Sequence, residues 1–134
     1  MQDEDALFAA ALAASRMSYS PYSHFRVGAA IRCEDGTVIT GANIENRSYG
    51  LTICAERSAV VTALSAGFRT FNSIAIATPD ASYPVSPCGA CRQVLSEFFP
   101  PDAVVRFGPK SDTVQVSTVG ELFPFDALHE LGTD

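Results

Sequence analysis

The sequence is short of positive charge. Nine Lys and Arg stand against fifteen Asp and Glu, a formal net charge of −6 at pH 7. That is the wrong sign for a protein that holds a phosphate backbone by displacing its counterions. A nucleic-acid polymer is thereby disfavoured as a ligand, and the chain lacks the basic, aromatic-lined path that a single strand would need. No apolar run approaches the roughly 18 residues that span a bilayer. The opening Met1-Gln2-Asp3-Glu4-Asp5 also lacks the cationic start of a secretory signal. The expectation is a cytoplasmic protein that meets no membrane. Repeats, linkers and low-complexity tracts are missing too, so residues 1–134 read as one domain, large enough to bury a core without disulfide staples. Histidine is scarce: His24 and His129 each stand alone in a loop or tail, and both read as solvated surface rather than metal ligands.

Apolar residues, in contrast, are in surplus. A composition 47% hydrophobic and 18% charged exceeds what an average soluble surface requires, which points toward subunit interfaces. Four cysteines in a reducing compartment suggest metal or catalytic chemistry more than disulfides.

Asp3, Glu4 and Asp5 suit a helix N-terminus, and Leu7, Phe8, Ala11, Leu12, Ser15 and Tyr19 recur at helical spacing, predicting a first helix of about four turns. The segment "YSPYSH" breaks it. "FRVGAAIRC" and "TVITGAN" follow as an antiparallel strand pair around Glu34-Asp35-Gly36. From Cys54 to Ala66 strong helix formers put Val60, Val61 and Leu64 on an apolar side, with Gly67 as C-terminal cap. "NSIAIAT" reads as a strand covered on both faces. A second core helix runs from about Gly89 to Phe99 and is ended by Pro100-Pro101. "AVVRFG" and "TVQVST" are strands, and "VGELFPFDALHEL" is a short helical tail. This alternation predicts an α/β fold with helices on both faces of a mixed sheet.

The chemistry concentrates at two helix starts. "SPCGACRQ" places Cys88 and Cys91 three positions apart, and "ICAERSAV" places Glu56 two residues after Cys54. Alone, the first motif admits a redox pair, half of a structural zinc knot, or part of a catalytic metal site. Together, three thiolates at two helix N-termini can converge on one zinc, because the dipoles favour negative charge and C-x-x-C lets two sulfurs meet one ion. Three protein ligands leave a tetrahedral position for water, the mark of a catalytic rather than a structural site. Cys33, at a strand end without partner spacing, reads as an apolar-like buried cysteine. Glu56, on the first helical turn, can reach a water at the open position without itself binding the ion, and so can move its protons. Arg57 can donate hydrogen bonds to ligand sulfurs and offset the excess negative charge of three thiolates around a dication, and Arg92 could share that task.

"FRVGAAI", "GANIENRSYG", "CAERSAV" and "SPCGACRQVLSEF" together resemble the small homotetrameric cytidine deaminases, over about Tyr19 to Leu122. The resemblance implies a three-layer α/β/α fold with a five-stranded mixed sheet, one Zn2+ per subunit on Cys54, Cys88 and Cys91, and Glu56 as proton shuttle. It implies hydrolysis of cytidine and 2'-deoxycytidine to uridine and 2'-deoxyuridine, a salvage reaction on a small nucleoside. Asn43 and Glu45 fall on the family's ribose clamp, Phe25 on an aromatic lining the base pocket, and Ala55 on a backbone amide that meets the base carbonyl. Tyr49 matches a position reaching across a subunit interface, in a tetramer whose active sites are shared. Ala42 replaces a common non-ligand cysteine, and the family's Leu-Leu-Pro ending appears as Leu122-Phe123-Pro124-Phe125, with its phenylalanine closer to the proline. A thioredoxin-like oxidoreductase would leave Cys54, Glu56 and the Asn-Glu pair without roles. A noncatalytic zinc module would fill the fourth ligand place, and the intact Asn43 to Glu45 segment favours cytidine over a nucleoside antibiotic.

Overall fold

The structure is a computed structural model that describes residues 2–132, with the side chains of residues 2, 129, 130 and 132 left outside the description. His129 therefore lies outside the described side chains. Helix α1 (Gln2–Ala14) carries Asp3, Glu4 and Asp5 in its first turn, where they meet the positive end of the helix dipole. It ends earlier than its periodicity predicts. The Ser15 hydroxyl donates to Leu12 O at 2.6 Å, and Ser15–Met17 tighten into a 3-10 turn. Tyr19 consequently leaves the helical face and joins an isolated bridge to Ile44.

Strands β1 (Gly28–Cys33) and β2 (Val38–Ala42) form the expected hairpin. Its turn is closed by Asp35 Oδ1, which accepts from Thr37 N at 2.9 Å, while Gly36 takes a φ of 94° open to glycine. β1 begins later than predicted because the N–H groups of Phe25, Arg26 and Val27 donate to the side chains of Ser23, Asp80 and Asn43 rather than to a neighbouring strand. Helix α2 (Ala55–Ser65) ends at Gly67, whose φ of 100° supplies the left-handed cap. Strand β3 (Phe71–Ala77), helix α3 (Gly89–Phe98), strands β4 (Val104–Lys110) and β5 (Thr113–Thr118) follow. The tail divides into α4 (Val119–Leu122) and α5 (Ala127–Gly132), because Pro124 lies between them.

The sheet order is β2-β1-β3-β4-β5, with β3 and β4 parallel and every other pair antiparallel. Side-chain alternation splits it into two differently sized faces. Ala29, Ile31, Cys33, Ile74 and Ile76 meet α2 and α3, while Ala30, Ala75 and Ala77 meet Leu7, Phe8 and Ala11 of α1. Small residues let α1 lie close: a Cβ on Gly28 would stand 2.0 Å from Ala11 O. Across the sheet, a Cβ on Gly41 would stand 2.4 Å from Ala59 N of α2. Val60 is buried as expected, but Val61 is exposed, since the inward stripe of α2 is Ala55, Glu56, Ala59, Val60 and Ala63. Among the described residues no helix is long and apolar enough to cross a membrane.

Candidate active site

Both core helices begin on a cysteine. Cys54 and Cys88 are N-cap residues in extended backbone, with φ/ψ of −72°/157° and −67°/166°, and Cys91 lies within the first turn of α3. Pro87 favours the extended approach to that second cap. The N–H of Cys91 donates to Cys88 Sγ at 3.4 Å, so one sulfur fills the usual role of a capping oxygen. The sulfurs of Cys54 and Cys88 are 3.8 Å apart, and those of Cys88 and Cys91 3.4 Å. All three lie within 4.8 Å of one another. These separations far exceed a disulfide bond of about 2.05 Å. They approach the edge of roughly 3.8 Å that a tetrahedron with Zn–S bonds of about 2.3 Å would have. A soft, three-sulfur donor set with that spacing fits zinc. Cys33 is buried in β1, where desolvation raises its pKa, and it is not part of the cluster. His24 is exposed in a left-handed turn with φ of 59° and does not join it either.

Charge is distributed unevenly around the sulfurs. The Cys54 thiol is lowered to about 5, first by hydrogen bonding from Cys91 and then by Arg57, against the opposing effect of burial. Cys91 is pushed upward because its thiol donates to Cys54 and because it is desolvated. Arg57 Nη2 donates to Cys54 Sγ at 3.4 Å, which raises the guanidinium above its ordinary pKa. Arg92 turns elsewhere. Its Nε donates to Pro87 O at 2.8 Å, Nη1 to Leu122 O at 2.9 Å and Nη2 to Ser86 Oγ at 3.0 Å. Arg92 thus braces the approach to Cys88 and does not address the thiolates. Glu56, 5% exposed at the start of α2, has its carboxyl raised to about 7, chiefly by burial.

A cavity of about 320 Å³ opens beside the cluster. Its wall includes Phe25, Asn43, Glu45, Cys54, Ala55, Glu56 and Cys88, so most of the residues singled out in the sequence converge on one space. Asn43, 8% exposed, spends much of its hydrogen-bonding capacity on the chain itself. Oδ1 accepts from Ser18 Oγ and from Val27 N at 3.0 Å, and Nδ2 donates to Phe25 O at 2.8 Å. Glu45 Oε1 accepts from Tyr22 N at 2.9 Å and Ser23 N at 3.1 Å, and Oε2 accepts from Ser23 Oγ. These bonds, led by the Ser23 hydroxyl, hold the Glu45 carboxyl below its usual pKa. Among the described residues, one N–H of Asn43 and one lone pair of Glu45 Oε2 have no partner, which leaves them for a ligand hydroxyl. The N–H of Ala55 is likewise uncommitted within the helix, as befits the first residue of α2. Tyr49 stands outside this cavity, 74% exposed, with its ring edge against Tyr22 at 5.8 Å between centroids.

Ser18 and Ser23 were not legible as site residues. "YSPYSH" reads as a helix breaker, yet its hydroxyl at Ser23 and the preceding Ser18 hold Glu45 and Asn43 in place. Arg26 and Asp80 form another unannounced brace, with Arg26 Nη2 and Asp80 Oδ1 2.7 Å apart.

Sheet, cluster and cavity together define an α/β protein with a three-cysteine zinc site and a buried carboxylate at its edge. Residues 1–107 match the family profile described as the cytidine and deoxycytidylate deaminase zinc-binding region. The chain belongs to that family. It is 50% identical over 122 residues to the cytidine deaminase of Halalkalibacterium halodurans, covering 91% of this chain and 92% of that one. The cytidine deaminase of Sporosarcina psychrophila is 44% identical over 122 residues, covering 91% and 89%. The crystal structure of cytidine deaminase from Burkholderia pseudomallei superposes with a TM-score of 0.85 at 46% identity, covering 90% of this chain and 95% of that one.

Proposed function

We propose that residues 1–134 form one catalytic unit for the hydrolytic deamination of cytidine and 2'-deoxycytidine to uridine and 2'-deoxyuridine, with release of ammonia. The observation that carries this reading is a buried Glu56 lining the same cavity as Cys54 and Cys88. Cys54, Cys88 and Cys91 would hold the zinc, which would supply the Lewis acidity that makes water a nucleophile near neutral pH. Glu56 would accept one proton from the attacking water as the water's oxygen adds to C4 of the cytosine ring and pass it to ring N3, then take the proton of the new C4 hydroxyl and hand it to the amine as the C4–N bond breaks and ammonia leaves. The burial of Glu56 keeps bulk water from competing for the proton.

The remaining residues bind and orient. Phe25 covers the base, the N–H of Ala55 donates to the base carbonyl, and the spare capacity of Asn43 and Glu45 takes a ribose hydroxyl. A sugar hydroxyl on that pair separates a nucleoside from a free base. Arg57 balances thiolate charge. Exposed Tyr19, Tyr22, Tyr49 and Leu51 cluster on the segments around the cavity mouth, and such a patch suits a homotetramer in which Tyr49 reaches a neighbouring subunit's site. Phe125, 90% exposed beyond Pro124, suits a similar contact. The enzyme would then serve pyrimidine salvage in the cytoplasm.

The test is uridine formation from cytidine by zinc-loaded protein, alongside Glu56→Gln. The variant should keep its zinc and its fold but lose about 10²- to 10⁴-fold in turnover, the usual span for a general acid–base. A zinc-loaded wild type that makes no uridine, or a variant equally fast, overturns the reading.

A further inference from the structure

One residue of the cavity wall carries a buried hydroxyl that has no partner among the described residues. Ser23, Asn43, Thr52 and Ser86 all line the space, and each side chain already has at least one partner in the chain. Ser23 Oγ donates to Glu45 and accepts from Phe25 N at 3.0 Å. Thr52 Oγ1 accepts from Asn46 N at 3.0 Å, and Ser86 Oγ accepts from Arg92 at 3.0 Å. Thr78, on the same wall, is different: its Oγ1 is buried and, among the described residues, has no partner.

Local structure gives no reason for the hydroxyl. Thr78 follows β3 directly, its N–H donates to Gly108 O at 3.0 Å and its carbonyl accepts from Ala81 N at 3.0 Å, so the backbone is fully satisfied. A valine of the same shape would fill the position without leaving a polar atom unpaired. Burying an unsatisfied hydroxyl costs on the order of 1–3 kcal/mol, which a ligand group can recover by completing the bond. Depth indicates which end of the ligand it meets. Ser23 and Ser86 are exposed at the mouth, whereas Thr78, 2% exposed, is as deep as Glu56 and Ala55. In the nucleoside reading, the reacting ring must lie at Glu56 and the sugar toward Glu45.

We propose that Thr78 is a substrate-contacting residue whose hydroxyl hydrogen-bonds the polar edge of the pyrimidine base. The proposal rests on the deaminase reading above. Thr78 belongs with Phe25 and the Ala55 amide in recognising the ring, and it leaves the sugar to Asn43 and Glu45. A hydroxyl can both donate and accept, so it tolerates the exchange of the substrate's amino group for the product's carbonyl.

The experiment compares zinc-loaded wild type, Thr78→Val and Thr78→Ser in steady-state kinetics with cytidine and in calorimetric binding of uridine. Thr78→Val should reduce kcat/KM and weaken uridine binding by about three- to tenfold, the worth of one neutral hydrogen bond, with zinc content and melting temperature preserved. Thr78→Ser, which keeps the hydroxyl, should recover most of both losses. An active wild type with Thr78→Val indistinguishable in kcat/KM and uridine affinity overturns the contact alone. So does a loss that serine does not restore, which would mark the methyl group's packing as the cause. An inactive wild type would overturn the deaminase reading instead.

Discussion

Arg57 and Arg92 each follow a cysteine of the cluster, yet their guanidinium groups serve different neighbours. Arg57 stands three residues past the Cys54 cap, one helical turn on, and returns to its sulfur. Arg92 comes directly after Cys91, so it leaves α3 about 100° around from it and meets carbonyls of Pro87 and Leu122. Arg57→Gln should therefore weaken zinc retention about 10- to 100-fold in competition with a chelator, the usual penalty for losing a group that hydrogen-bonds a metal ligand. Unchanged retention would remove its charge-balancing role. The thiol spacing and Glu56 are legible in the sequence, because caps and helical offsets are local. The partition of hydrogen bonds by Asn43 and Glu45 is not. It depends on Ser18, Ser23 and Val27, which reach Asn43 and Glu45 from 16 to 25 positions away in the chain.

At the scale of elements, two helices dock where the sheet has no side chain in the way. Gly41→Ala would drive a methyl group to within 2.4 Å of the α2 backbone at Ala59 N, where only backbone movement can relieve it. Overpacking of this kind costs about 1–3 kcal/mol, and urea denaturation should show the midpoint falling by a corresponding amount. A midpoint equal to the wild type's would mean that α2 is free to lift from β2. Strands β1 to β5 and helices α2 and α3 all follow from hydrophobic period and turn residues. Three departures have causes that hydrophobic period alone does not carry. Tyr19 leaves α1 to share main-chain hydrogen bonds with Asn43 and Glu45. Val61 faces outward although its neighbour Val60 faces the core, because the buried stripe of α2 is narrow and lined with alanine. Phe123 and Pro124 split a tail that otherwise looks continuously helical.

For the whole molecule, the surplus of apolar residues seen in composition has a location. Tyr19, Tyr49, Leu51, Phe125, Leu128 and Leu131 are all exposed, and most lie on the segments around residues 19–51 and in the tail rather than on the sheet. If these surfaces pair as proposed, light scattering should return about four times the 14.2 kDa chain mass, and Tyr49→Ala should lower activity per site as well as weaken assembly. A monomeric, fully active protein would separate the chemistry from any shared site.

The metal cluster also has a bearing on how the chain reaches this state. It takes one sulfur from the start of α2 and two from the start of α3, and 34 positions separate Cys54 from Cys88. Within that interval lies β3, the strand inserted between β1 and β4. An ion gripping all three sulfurs would close that loop around the central strand, so metal binding and the seating of β3 support each other. Metal removal should accordingly loosen the middle of the sheet as well as the site, seen as faster amide exchange in β3 of the chelator-treated protein.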